Sequence, residues 1–270
     1  MIGEAKSHPW HMVEPSPWPA LGTLGAFIMA IGGVWFMHGG PVIGFVAGVN
    51  ILLICLYLWW RDVVREAQSD MEHTQPVRSG LRIGVLLFIA SEVMFFFAFF
   101  WAYFHSTVPF FSLVANTRWP PEGIVPIETW DIPFINTVIL LASGATVTYA
   151  HHAIRADERM KALVGIALTV ILGFIFVGSQ AYEYIHAQFE LDGGIYPSTF
   201  YLATGFHGGH VIIGACFLTV CFFRALAGHF KPDQHVGFEA AAWYWHFVDV
   251  VWLFLFTWIY WWGSSGYEWG

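Results

Sequence analysis

Leu81-Arg-Ile-Gly-Val-Leu-Leu-Phe-Ile-Ala-Ser-Glu92-Val-Met-Phe-Phe-Phe-Ala-Phe-Phe-Trp-Ala-Tyr103 decides the fold. Two charges interrupt an otherwise apolar run, Arg82 near one end and Glu92 at its middle, eleven residues from either limit. At about 1.5 Å of rise per helical residue, such a stretch crosses a hydrocarbon core roughly 30 Å thick. It reads as a transmembrane helix with a carboxylic acid at mid-bilayer.

Six more stretches qualify: Trp18–Met37 and Val42–Trp60 before it, and Ile132–Ala150, Ala162–Tyr184, Thr199–Phe223 and Ala240–Trp262 after it. The reading is an all-α integral membrane protein of seven transmembrane helices, a single membrane domain over residues 1–270. Composition agrees. Of 270 residues, 57% are apolar and 11% charged, against about one quarter charged in soluble domains, which excludes an ordinary cytoplasmic enzyme. The 15 Trp and 10 Tyr suit anchoring at lipid–water boundaries. A formal charge of -8 offers no basic face to a phosphate backbone, so no nucleic-acid partner is expected.

Lys and Arg in short loops favour the cytoplasmic side or its organellar equivalent. With the N-terminus inside and the C-terminus outside, Lys6, Arg61, Arg65, Arg78, Arg82, Arg155, Arg159, Lys161, Arg224 and Lys231 fall inside, and only Arg118 falls outside. Adding or dropping one span would exchange the sides of every later loop, so the charge distribution supports seven. The flank Met1–Pro17 has one Lys, two acids and three prolines, unlike a secretion signal, and the first helix is read as part of the mature protein. The connections 61–80 and 105–131 are too short for separate domains, so any chemistry lies within the bundle or in a partner.

Gly40, Gly44 and Gly48, with Gly22, Ala26 and Ala30, form rows of small residues expected to pack helices one and two together. Cys55, Cys216 and Cys221 lack metal or redox spacing and are read as inert buried thiols. Glu92 has no counter-charge within reach on its own helix, Arg82 lying ten residues away, and requires a partner or a role, because a carboxylate at mid-membrane costs about 2.5–3.5 kcal/mol even on the lenient insertion scale. A proton- or gas-path acid and a satisfied core acid are the two readings. His207 and His210 on helix six, and His246 and Asp249 on helix seven, pair at i and i+3. Such imidazoles either ligate haem or metal or form a buried polar network joining helices three, six and seven; the bulky rows around them favour the network, so no metal ligand is assigned. Trp59, Trp60, Arg61, Arg65 and His73 at the inner boundary, with Arg224 and His229, are either a clamp for anionic lipid or ordinary topology-setting charge.

The chain closely resembles subunit III of haem–copper cytochrome c oxidase along nearly its whole length. The resemblance rests on His11-Met-Val-Glu-Pro-Ser-Pro-Trp-Pro19, Trp59-Trp-Arg-Asp-Val-Val-Arg-Glu66, Ser91-Glu-Val-Met-Phe-Phe96, Leu140-Leu-Ala-Ser-Gly144, Ala150-His-His152, Ala203-Thr-Gly-Phe-His-Gly-Gly-His-Val-Ile-Ile-Gly214 and Gly237-Phe-Glu-Ala-Ala-Ala-Trp-Tyr-Trp-His-Phe-Val-Asp-Val-Val-Trp252. It implies two-helix plus five-helix bundles with a V-shaped lipid-binding cleft, and a noncatalytic core subunit of an aa3-type, proton-pumping terminal oxidase that reduces oxygen to water. It implies haem and copper in partner subunits I and II, with subunit I the main contact, cytochrome c as a partner of the complex, and structural phospholipids here; no cofactor is bound by this chain. Proton uptake, oxygen access and turnover stability of subunit I are the functions it implies. By resemblance Glu92 is the family's intramembrane acid, and Trp60, Arg65, Glu66, His73, Arg224 and His229 hold lipid headgroups. Ala227 and Gly228 stand where some relatives carry a further basic residue, and the tail Ser265–Gly270 runs past the family's usual end. A quinol-oxidase subunit III is an alternative, but it typically lacks helices one and two; an autonomous transporter relaying protons through Glu92 and the His–Asp groups is another. The bacterial plasma membrane is the expected location, the mitochondrial inner membrane the alternative.

Overall fold

The computed structural model describes residues 10–68, 73–108 and 118–268. Among them are seven helices long and apolar enough to cross a membrane: α1 (Trp18–Met37), α2 (Ile43–Ala67), α3 (Gln75–Thr107), α4 (Ile132–Arg155), α5 (Arg159–His186), α6 (Ile195–Leu226) and α7 (Val236–Leu255). A π-helical segment, Phe256–Trp262, continues α7. The expected all-α, seven-span fold is the one observed.

The helices outrun the apolar stretches that announced them. α1 matches its expected limits, but α2 continues from Trp60 to Ala67, α3 spans Gln75 to Thr107, and α4 continues from Ala150 to Arg155. Hydropathy marks where hydrocarbon stops, whereas a helix stops where its last carbonyls find another partner. The end of α6 shows this. Gly228 takes φ +76, its N–H bonds the Ala225 carbonyl at 3.0 Å, and the His229 N–H bonds the Arg224 carbonyl at 3.0 Å. The paired bonds and the left-handed residue define a Schellman stop. Asp157, at φ 59, closes α4 in the same way, with Asp157 and Glu158 N–H groups bonding the Ile154 and Ala153 carbonyls.

Two compact units divide the chain, Met1–Leu81 and Arg82–Gly270. In the first, α1 and α2 pack where side chains are missing. A Cβ on Gly32 would stand 2.3 Å from the Gly44 carbonyl carbon, and one on Gly48 would stand 2.2 Å from the Met29 nitrogen. Gly44 and Gly48 of the second row therefore pack as expected, whereas Gly40 precedes α2 and stands against Trp35, and the α1 row is shifted: Gly25 and Gly32 are buried while Ala26 and Ala30 are exposed. Gly22 faces α2, its added Cβ 3.7 Å from Cys55 Sγ, but each further step of four residues turns about 40° around the helix, which carries Ala26 and Ala30 off the packed stripe. The Trp18 indole N–H donates to Asp62 Oδ2 at 2.9 Å, tying the start of α1 to the end of α2.

In the second unit, Trp245 is the central wedge. Its indole is fully buried and lies in a notch left by Gly173 on α5 and Gly214 on α6, where an added Cβ would come within 2.6 and 2.9 Å of the ring. Its N–H donates to Ser143 Oγ on α4 at 2.8 Å. One side chain thus joins four helices, and its polar edge is satisfied. Cys55 and Cys221 are buried free thiols as expected, whereas Cys216 is exposed on the outer side of α6. Strands Arg118–Trp119 (β1) and Tyr267–Glu268 (β2) pair antiparallel, which gives the C-terminal extension a place in the fold.

Candidate functional site

Glu92 on α3 meets His210 on α6. The carboxylate Oε2 lies 2.8 Å from imidazole Nε2, and the two residues are 118 positions apart in sequence. His210 Nδ1 lies 2.6 Å from the Phe206 carbonyl, which only accepts, so Nδ1 carries a hydrogen. One further proton then lies between Nε2 and Oε2. Whether drawn as acid and imidazole or as carboxylate and imidazolium, the pair is neutral overall. That answers the cost of a lone acid at this depth. Phe96, Phe95, Tyr244 and Phe247 ring the imidazole, with centroids 4.9 to 6.4 Å away. Side-chain exposure of 14% for His210 and 21% for Glu92 places the pair at the edge of the unit rather than in its centre.

The other three groups do not join this pair. His207 is buried, and its Nε2 donates to the Val248 carbonyl at 3.2 Å. Phe176 and Trp252 pack against its ring, and Nδ1 is a buried nitrogen without a hydrogen-bond partner. His246 Nε2 shares a hydrogen bond with Thr148 Oγ1 at 3.1 Å, while its Nδ1 stands 3.7 Å from Asp249 Oδ2, an ion-pair distance too long for a hydrogen bond. Asp249 is buried against α4 in space provided by Gly144, whose added Cβ would lie 2.5 Å from Oδ2. The single network expected from spacing is therefore three separate ties: α3 to α6, α6 to α7, and α7 to α4. Residues at i and i+3 differ by about 60° around a helix, enough for His207 and His210 to face different neighbours.

A buried acid on α5 escaped the sequence reading. Glu183 is 4% exposed; its Oε1 accepts the Tyr260 hydroxyl at 2.6 Å and the Gln180 amide at 2.9 Å. The apolar stretch appeared to end at Tyr184, which put Glu183 at headgroup depth; α5 in fact continues to His186. Gln180 and Glu183 at i and i+3 were the available signal. Tyr260 belongs to the π-helical segment, where Tyr103 and Thr129 hydroxyls donate to the Trp258 and Tyr260 carbonyls at 2.9 and 2.8 Å.

The lipid-clamp candidates fall into both units. In the first, Trp60 is 59% exposed, the Arg65 side chain is 67% exposed and lies 3.6 Å from Asp62 Oδ1, Glu66 is half-buried, and the His73 ring packs edge-on against His11. In the second, the Arg224 guanidinium sits 4.7 Å above the Phe230 ring. His229, outside the span, has its pKa lowered by burial and by the Arg224 charge.

A family profile for cytochrome c oxidase subunit III matches residues 8–264. The chain belongs to the cytochrome c oxidase subunit III family. It is 54% identical to "Cytochrome c oxidase subunit 3" of Prototheca wickerhamii, covering 96% of this chain and 100% of that protein. The protein of the same name from Marchantia polymorpha is 54% identical over 97% and 99% of the two chains, and that of Carassius auratus 52% over 96% and 99%. Membership and the seven spans make this a multi-pass membrane protein of the respiratory oxidase family.

Proposed function

We propose that the chain is a noncatalytic core subunit of an aa3-type cytochrome c oxidase, assembled mainly against subunit I, in a bacterial plasma or mitochondrial inner membrane. The observation that carries this reading is the family match across residues 8–264 at half-identity to full-length relatives. Haem and copper would reside in subunits I and II. His210 is bonded through both nitrogens, to Phe206 and Glu92, and His207 through Nε2 to Val248, which supports structural roles for these two imidazoles over haem ligation.

Glu92 and His210 supply the chemistry assigned here to proton uptake. The pair holds one shared proton and no net charge, so gain of a second proton or loss of the shared one needs compensating charge nearby. The lipid reading is carried by Trp60, Arg65, Glu66 and His73, and by Arg224 and His229. Exposed Trp60 and Arg65 at the end of α2, and half-buried Arg224 and His229 at the end of α6, are aromatic and cationic groups of the kind that suits anionic headgroups. Headgroup binding would retain a lipid pool through which oxygen reaches the partner. With the N-terminus inside, these groups lie on the cytoplasmic or matrix side.

Isolation in mild detergent tests the assignment: the chain should co-purify with stoichiometric haem and copper carried by other subunits. Purification as a homogeneous species free of both would overturn it.

A further inference from the structure

At the end of α4 and the start of α7, three metal-ligating side chains converge. His151 comes from the last turns of α4, His235 caps α7, and Glu239 follows four residues later on its first turn. One ligand atom from each, two imidazole nitrogens and a carboxylate oxygen, lies within 4.8 Å of the others. We propose that His151, His235 and Glu239 bind a divalent cation of the zinc class.

The spacing fits that ion. Zinc holds nitrogen and oxygen ligands at about 2.0–2.2 Å in tetrahedral array, which sets ligand atoms about 3.3–3.5 Å apart. His151 Nε2 and His235 Nε2 are 3.3 Å apart, and His235 Nε2 is 3.4 Å from Glu239 Oε1. Two of the three edges of a coordination triangle are already at length. The third needs only side-chain adjustment, since His151 is half-buried at a helix end.

The surrounding bonds orient these ligands. His235 Nδ1 lies 3.0 Å from the Lys231 carbonyl, so Nδ1 carries the hydrogen and Nε2 presents its lone pair toward His151 and Glu239. A metal-bound imidazole is oriented by a carbonyl in this way. Glu239 is held by Arg82, whose Nε donates to Oε2 at 2.7 Å and Nη2 to Oε1 at 3.1 Å. Arg82 thereby fixes the carboxylate and competes with the cation for Oε1. Two imidazoles and one carboxylate select zinc-class ions over magnesium or calcium, which prefer all-oxygen shells. Three protein ligands leave a fourth position for water. An occupied site would staple α4 to α7 in place of the direct contact between the two imidazoles.

The test uses the full chain within its purified complex, stripped with chelator and titrated with Zn²⁺. Bound zinc per complex should exceed that of otherwise identical His151→Gln and His235→Gln complexes by one saturable equivalent, and Glu239→Gln should weaken that equivalent at least about tenfold. Equal zinc in the parent and both histidine variants would overturn the proposal. If the variants fail to assemble, X-ray absorption at the zinc edge of the unaltered complex decides by difference between one and zero added equivalents. Two imidazole nitrogens and a carboxylate oxygen on the added ion support the site. An oxygen-only or sulfur-containing shell, or no saturable equivalent, overturns it.

Discussion

Glu92 illustrates how much a single residue discloses from sequence and where that stops. Its depth follows from the apolar run around it and requires a partner, but nothing near it names His210, 118 positions away. The hydrogen-bond inventory at the pair leads to contrasting substitutions. Because His210 Nδ1 donates to Phe206, Nε2 without a shared proton is an acceptor, and the amide of Glu92→Gln can donate to it. Glu92→Gln should therefore keep the complex assembled and thermally unaltered while removing the exchangeable proton. Glu92→Ala should leave a partly buried imidazole nitrogen unsatisfied, at a cost of about 1–3 kcal/mol, read as a lowered Tm in detergent. Unaltered proton uptake and unaltered oxygen dependence of turnover in the Gln variant would together refute a functional role for the carboxyl. Gly144 and Asp249 show the opposite case. The carboxylate occupies the volume that a Cβ on Gly144 would fill, a relation that only packing reveals.

At the scale of elements, the spans were legible because lipid imposes a long apolar run, and their count followed from charges between them. Helix ends were not, because α6 and α4 stop at left-handed residues, Gly228 and Asp157, beyond the apolar limits. Nor was the π-helical segment, whose carbonyls are met by Tyr103 and Thr129 from distant positions. The small-residue row on α2 was readable, and its α1 partner was misplaced by one face. Substitution there is informative. Gly48→Ala places a methyl against the Met29 backbone, and overpacking of this kind costs about 1–3 kcal/mol. The variant should lower the thermal midpoint of the complex, whereas Ala26→Gly, on the exposed face, should change it far less. Trp245→Phe should destabilise the second unit by emptying the notch and leaving Ser143 without its donor. Loss of assembled complex after mild heating would measure it.

Over the whole molecule, few charges and many exposed apolar side chains describe a chain whose outer surface is designed for lipid. Leu86, Leu87, Met94 and Phe97 of α3 and Ile171, Phe174 and Ile175 of α5 are exposed large hydrophobics. Arg65 and Arg224 lie in the last turns of α2 and α6, and their proposed assignment to lipid is testable as a set. Combined Arg65→Ala and Arg224→Ala should reduce co-purified anionic phospholipid without altering haem content, and unchanged lipid would contradict headgroup binding. The noncatalytic role proposed above makes a demand on the assembled complex. Turnover lifetime of the purified oxidase with and without this chain tests that claim most directly. Removal of the chain should leave initial oxygen consumption nearly equal and hasten the loss of activity during turnover. Immediate loss of all activity on removal, or an unchanged lifetime, would contradict it.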